Sequence, residues 1–146
     1  MEGIILRFGE RNRCNLNRGA AAMLAALWHW SREGQVVRLE LKVIKDTLLV
    51  QIGGELDILA ADRIRQEIDR VMQARKIQKL ILDLEEISFM DSAGLGVILG
   101  RYKKISAVGG KMYIVRAHPG IRKILELAGV HKLVTLCQDE KEIISL

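Results

Sequence analysis

Asp91 and Ser92 are the residues whose types and position could support chemistry in this chain. They precede a glycine-rich stretch in the segment FMDSAGLGVILGRYKKI, residues 89–105. Apolar residues recur every three or four positions after Ser92, which predicts a helix that begins there. The first backbone N–H groups of a helix are unpaired, so this position could hold a phosphate, carry a nucleophile or need only a helix cap.

The glycine pattern does not match the known phosphate-binding and serine-hydrolase motifs. Gly94 to Gly100 forms G-x-G-x-x-x-G, which is longer than the dinucleotide fingerprint, and no G-K-[ST] sequence supplies a phosphate-binding lysine. Ser92 lies in M-D-S-A-G rather than in G-x-S-x-G. The histidines and cysteines do not cluster at metal-ligand spacing. We therefore predict no catalytic residue, no cofactor and no metal site.

A serine that accepts a phosphate fits this position better. The amides and the dipole of a helix N-terminus stabilise a phosphate dianion. Asp91 is adjacent, and Asp57 ends a predicted strand that could point to the same sheet edge, so a phosphate on Ser92 would add to existing negative charge. Such a modification blocks a partner without refolding the domain. On spacing alone, the alternative that Asp91 and Ser92 only cap the helix stays open.

Glycines are concentrated in the same helix, where each costs about 1 kcal/mol relative to alanine. Gly96 and Gly100 are four residues apart and share one helix face. This face either packs closely on a sheet or admits the backbone of a partner beside Ser92. Periodicity does not decide between the two.

The elements that position the motif alternate between strand and helix. After an opening hairpin, short apolar runs predict strands and 3–4 spacing predicts helices between them. We predict one α/β domain whose mixed, mostly parallel sheet is flanked by helices. The predicted strands are 37–43, 48–54, 79–84, 111–117 and 133–136, and the helices lie near 64–72, 92–108, 119–128 and 139–146.

Composition restricts the classes of binding partner and the cellular compartment that we expect for this chain. The net charge of the 146 residues is +5, but the basic residues form no dense stripe and lack interleaved aromatics, which argues against direct nucleic-acid binding. No apolar run has the roughly 20 residues of a membrane span, so no membrane partner is expected. Two distant cysteines suggest no disulfide framework and favour the cytoplasm.

Residues 1–36 do not share the alternating pattern and are predicted to be an N-terminal extension of a domain that covers 37–146. Two interpretations are a helix around 18–31 and an incorrectly assigned start, with the natural chain beginning near Val36.

The central motif closely resembles the signature of the bacterial anti-anti-sigma factors of the STAS-domain family. GELD at 54–57 is similar to a second family landmark, and the likeness continues through LILDLEEISFMDSAGLGVILGRYK, GGKMYIV and LELAGV. It covers about residues 37–146.

The resemblance implies a monomeric, non-enzymatic regulator of transcription in spore-forming bacteria. In this family, the unphosphorylated protein binds an anti-sigma factor that is also a serine kinase, and the sigma factor is freed. Phosphorylation of the motif serine, here Ser92, ends binding, and a serine phosphatase restores it. The residues that match the partner-binding positions of the family are Asp57, Asp91, Gly94, Leu95, Gly96 and Arg101.

The chain departs from the family pattern at two places. Ala93 replaces a frequent second serine, and ILAA follows Asp57 where more polar residues are usual. The alternatives are a stress-response scaffold of the same fold, and a module that binds a nucleotide or another small ligand.

Overall fold

The structure is a computed structural model that describes residues 4–6, 30–32 and 35–144. Its strands are β1 (Ile4–Leu6), β2 (Trp30–Arg32), β3 (Gln35–Ile44), β4 (Thr47–Leu56), β5 (Lys79–Met90), β6 (Lys111–Val115) and β7 (Thr135–Cys137). Its helices are α1 (Ile58–Ala74), α2 (Ser92–Ala107), α3 (Pro119–Leu127) and α4 (Glu140–Ile144), with a 3-10 turn at Val130–Lys132. This architecture confirms the predicted α/β class.

The sheet is mixed in the way that the pattern predicted. Its order is β3-β4-β5-β6-β7, with β3 and β4 antiparallel and the later neighbours parallel. A parallel neighbour requires a crossover, and α1, α2 and α3 provide these connections. All three helices therefore start at the edge where parallel strands end, which is the edge that follows Leu56 and Met90.

Strand β5 is the element whose length the sequence underestimated. The apolar run predicted a strand at 79–84, but β5 continues to Met90 and pairs with the end of β4. Two register shifts, after Gln51 and after Gly54, accommodate the more polar half of β5. Irregular pairing of this kind hides the simple alternation on which a strand prediction depends. Strand β6 is shorter than predicted, because the chain turns at Arg116, which has a φ of 57°.

The hydrophobic core lies between the sheet and the three crossover helices. It contains Val50, Leu82 and Ile114 from the sheet, and Ile68 and Ile98 from α1 and α2, all fully buried. A smaller cluster on the opposite sheet face joins Ile81, Tyr113, Cys137 and Ile143. Aliphatic side chains make up most of both clusters, in accordance with the low aromatic content.

Parts of the N-terminal extension pair with the outer edge of β3. Strand β1 lies antiparallel to Leu41–Val43, and β2 lies antiparallel to Gln35–Val37. The helix predicted around 18–31 falls outside the described residues except at its end, where Trp30 and Ser31 are in a strand and that part of the prediction is wrong. The domain boundary at residue 37 stays a prediction.

Glu67 is a buried acid on α1 and makes stability depend on pH. Burial raises the pKa of Glu67 above its ordinary value, while the nearby Arg70 and Arg63 oppose the change. Between the ordinary and the raised pKa, the folded protein holds a proton that the unfolded chain has released. The free energy of unfolding therefore falls as the pH rises through this window.

We expect Glu67→Gln to remove this pH dependence and to be more stable than the parent protein at neutral pH. Urea unfolding at a series of pH values would measure the effect, with the exposed Glu126→Gln as the control. Parallel stability profiles for Glu67→Gln and the parent would contradict the assignment.

Candidate functional site

Two neighbouring strand ends bring Asp57 and Asp91 to the same edge of the sheet. Leu56 of β4 is in register with Met90 of β5, and each aspartate follows directly. The N–H of Asp91 donates a hydrogen bond to the carbonyl oxygen of Leu56 at 3.3 Å. Because adjacent strands lie about 4.8 Å apart, the two acids begin helices α1 and α2 side by side. The sequence predicts that Asp57 ends a strand that could point to the same edge, and the structure has it there.

Both aspartates are helix N-caps. The Oδ1 atom of Asp57 accepts hydrogen bonds from the N–H groups of Leu59 at 3.0 Å and Ala60 at 3.1 Å. Asp91 does the same for Ala93 at 2.9 Å and Gly94 at 3.1 Å. These bonds satisfy amides that would otherwise lack a partner at each helix start. Their carboxylates are therefore fixed near Ser92 by a local structural role.

Removing the Asp91 cap should weaken the start of α2. We expect Asp91→Ala to lower the free energy of unfolding by about 1 kcal/mol, since alanine cannot accept the two amide hydrogen bonds. Asp91→Asn, which keeps a capping oxygen but loses the charge, should stay close to the parent. Urea unfolding of both variants tests this, and equal losses would show that charge rather than capping matters.

Ser92 is the first residue of α2 and is exposed. Because Asp91 occupies the cap, the Ser92 hydroxyl has no capping role, and it makes no hydrogen bond with the residues that the structure describes. Of the two residues, Asp91 caps the helix and Ser92 does not. The alternative that both residues serve only as caps therefore holds for Asp91 alone. An unengaged hydroxyl at this position is accessible to another protein.

The glycines of α2 divide into two kinds. A Cβ atom on Gly94 would lie 2.6 Å from the carbonyl oxygen of Leu56 and 2.8 Å from Cγ of Met90, so this glycine is required for packing. A Cβ atom on Gly96 or Gly100 would meet nothing within 4 Å. With Ser92, these two glycines form an open face at four-residue spacing. The structure thus decides a question that periodicity left open.

Three large apolar side chains are exposed near the ends of β4 and β5, where α1 and α2 begin. Ile58 and Leu59, in the first turn of α1, are 73% and 47% exposed, and Phe89, next to the end of β5, is 49% exposed. Leu95 is half-buried against the core. The sequence signal for the first two was the apolar ILAA that follows Asp57. Phe89 gave no signal, because it lies in the half of β5 that the apolar run at 79–84 did not predict.

Arg101 is the predicted site residue that the structure does not bring to the others. Its side chain is buried between α1 and α2, with Nε 2.9 Å from Oδ1 of Asp69. Burial lowers the pKa of Arg101, and the charge of Asp69 opposes the change. The sequence placed Arg101 on the partner surface, whereas the geometry makes it a link between helices. We therefore leave it out of the candidate surface.

A cavity of about 130 Å³ lies on the other face of the sheet and is lined by polar residues. Gln51 donates a hydrogen bond to the buried Asp83 at 3.1 Å, and Arg116 forms an ion pair with the same carboxylate. Cavities that hold drug-sized ligands have volumes of about 300–1,000 Å³, so this one does not fit a nucleotide. This cavity does not decide on the alternative of a small-ligand module, because a second, more open cleft beside His131 and Lys132 has a volume of about 370 Å³, within that range.

The chain is similar to proteins that regulate sigma factors. A family model described as STAS domain matches residues 38–143. The chain is 36% identical to an anti-sigma F factor antagonist of Paenibacillus polymyxa over 104 residues, covering 71% of this chain and 89% of that protein. It is 25% identical to an anti-sigma-B factor antagonist of Bacillus subtilis over 100 residues, which are 68% of this chain and 90% of that one.

Solved structures give the same result. The anti-sigma factor antagonist SpoIIAA in its unphosphorylated form is 31% identical, with a TM-score of 0.64 over 74% of this chain and 92% of that one. The phosphorylated form of SpoIIAA has a TM-score of 0.59 at 31% identity, over 75% of this chain and 96% of that one. The fold around the candidate site is therefore shared with a protein known in two phosphorylation states.

Proposed function

Because this chain belongs to the STAS-domain family, we propose that it is an anti-sigma factor antagonist that is switched off by phosphorylation of Ser92. The observation that supports the proposal is the exposure of the Ser92 hydroxyl, which has no capping role because Asp91 caps the helix. The relatives are named as antagonists rather than as enzymes, in agreement with the predicted non-enzymatic role.

Phosphorylation would act through charge rather than through refolding. Asp91 already accepts the N–H groups of Ala93 and Gly94, so a phosphate on Ser92 would not take over these amides. It would add between one and two negative charges beside the carboxylates of Asp91 and Asp57. The helix start would remain formed, because its cap is unchanged, while the surface potential would become strongly negative. A partner that presents acidic side chains there would be repelled. A partner that excludes water from the contact would bind more weakly, because the phosphate charge would be buried without a partner.

The proposed binding surface surrounds Ser92. It consists of the open glycine face of α2 and the exposed apolar side chains Ile58 and Leu59 at the start of α1. Glycine lets a partner backbone approach closely, and buried apolar area drives protein association. Gly94 and Leu95, which the sequence placed at the contact, would support this surface from within the helix.

The wider assignment follows the family. We propose an anti-sigma factor with serine kinase activity as the binding partner, and a serine phosphatase that reverses the switch. We also propose that the chain is a cytoplasmic monomer that acts in sporulation and does not bind nucleic acid directly. No helix among the described residues is both long and apolar enough to cross a membrane.

Kinase treatment provides the direct test. The full chain would be incubated with the anti-sigma kinase encoded nearest to its gene and with ATP, and the modified residue would be mapped by mass spectrometry. We expect a single phosphate, on Ser92. The matched control is Ser106→Ala, because Ser106 is also exposed but lies at the other end of α2.

Two results would contradict the proposal. A phosphate on Ser106, or modification of Ser92→Ala, would show that the helix start is not the target. No phosphate, with the kinase active on a control substrate, would favour the stress-response scaffold.

A further inference from the structure

Basic side chains collect at the sheet edge opposite to Ser92, and we infer that this basic face binds the surface of an anionic phospholipid membrane. The face is formed by three loops at the N-terminal ends of β4, β5 and β6. Its members are Lys45, Arg75, Lys76, Lys79 and Lys111. The inference does not depend on the proposed phosphorylation. It revises the expectation that there is no membrane partner, which rested only on the absence of an apolar run long enough to span a bilayer.

Backbone hydrogen bonds hold the three loops together. The N–H groups of Gln78 and Lys79 donate to the carbonyl oxygen of Asp46 at 2.8 and 3.2 Å. The N–H of Lys111 donates to the carbonyl oxygen of Gln78 at 2.9 Å. The loops are therefore parts of one surface, although Lys45 and Lys111 are 66 positions apart along the chain.

The positive charge of this face is poorly neutralised. Residues 44–46, 75–79 and 108–111 contain five cations and a single acid, Asp46. Lys45, Lys76 and Lys111 are exposed, and within the described part of the chain they form no ion pair. Asp69, on the neighbouring turn of α1, is already paired with Lys104 and Arg101. A concentrated positive field therefore projects from this edge.

Exposed apolar side chains lie among the cations and favour a membrane over a nucleic acid. Ile44 precedes Lys45 and is 41% exposed, and Val108, close to Lys111, is 58% exposed. Basic residues beside apolar ones are typical of proteins that lie on lipid headgroups. Surfaces that bind single-stranded nucleic acid instead use aromatic side chains for stacking, but Tyr113, which lies under Lys79, is buried.

The orientation would leave the candidate site free. Helix α2 has 16 residues, which corresponds to a length of about 24 Å at about 1.5 Å per residue. It runs from Ser92 to the loop that carries Val108. A protein that rests on its basic face would present Ser92 about a helix length away from the lipid, where a kinase or a phosphatase has access.

Vesicle sedimentation tests the inference with the full chain. We expect binding to vesicles of equal parts phosphatidylglycerol and phosphatidylcholine, and none to phosphatidylcholine alone. The double variant Lys76→Gln, Lys111→Gln should bind about thirtyfold more weakly, which corresponds to about 1 kcal/mol per lysine. The control is Arg65→Gln, Lys123→Gln, which removes the same charge from other exposed positions and should bind like the parent.

Three results would overturn the inference. Equal binding to both kinds of vesicle would exclude an electrostatic contact with phospholipid. Equal weakening in the two double variants would exclude this particular face. Displacement from the anionic vesicles by double-stranded DNA at similar phosphate concentration would identify a nucleic acid as the preferred ligand.

Discussion

Ser92→Asp is expected to weaken the binding of the anti-sigma kinase about a hundredfold, because a carboxylate partly imitates the charge of a phosphate. It would stand next to Asp91 and close to Asp57, at an edge where the partner must approach. Like charges brought together at an interface cost about 3 kcal/mol, which corresponds to about a hundredfold in affinity. Isothermal titration calorimetry without ATP measures this change directly.

The complementary variant is Ser92→Ala, which should bind as tightly as the parent and resist release by ATP. Its helix start should be intact, because Asp91 provides the cap. The matched charge control is Ser106→Asp, at the exposed end of the same helix. If Ser92→Asp bound with the parent affinity while Ser106→Asp did not, the charge at the helix start would not be the blocking element.

Gly94→Ala is expected to lower the free energy of unfolding by about 2 kcal/mol. The added Cβ atom would lie 2.6 Å from the carbonyl oxygen of Leu56, which the strand holds in place, and 2.8 Å from Cγ of Met90. Overpacking of this kind costs about 3 kcal/mol, and the better helix propensity of alanine returns about 1 kcal/mol.

Gly96→Ala is the control, because it introduces the same methyl group in the same helix. A Cβ atom there meets nothing within 4 Å, so the variant should gain about 1 kcal/mol from helix propensity. The two alanine variants should therefore differ by about 3 kcal/mol in urea unfolding. Equal stabilities would mean that α2 can move away from β4 and β5 to accommodate the extra atom.

These two experiments examine different properties of one helix. Gly94 anchors the start of α2 against the strand ends, and this contact fixes the position of Ser92 relative to Asp57. Gly96 leaves the adjacent surface open. A loss of partner binding in Gly96→Ala, with its stability raised, would show that the open face itself is in contact with the partner.

Residue patterns were sufficient to predict the order and type of the main elements. Alternating apolar residues predicted β3 and β4, and the 3–4 spacing after Asp57 and Ser92 predicted α1 and α2. The resemblance carried by the central motif indicated the STAS-domain family, which the family match over residues 38–143 confirmed. Periodicity and capping are local properties, so the sequence was sufficient for them.

The surfaces that those elements present depend on how they pack together. Arg101 reads as an exposed helix residue, but packing of α1 against α2 buries it beside Asp69. The sequence does not distinguish Gly94 from Gly96. They differ in packing, because the carbonyl oxygen of Leu56 lies against Gly94 and no atom of the described residues lies close to the Cβ position of Gly96. Lys45, Lys76 and Lys111 formed no basic stripe along the chain, but crossovers that return to one sheet edge bring them together. Contacts between residues distant in sequence depend on how the layers pack, which no local pattern encodes.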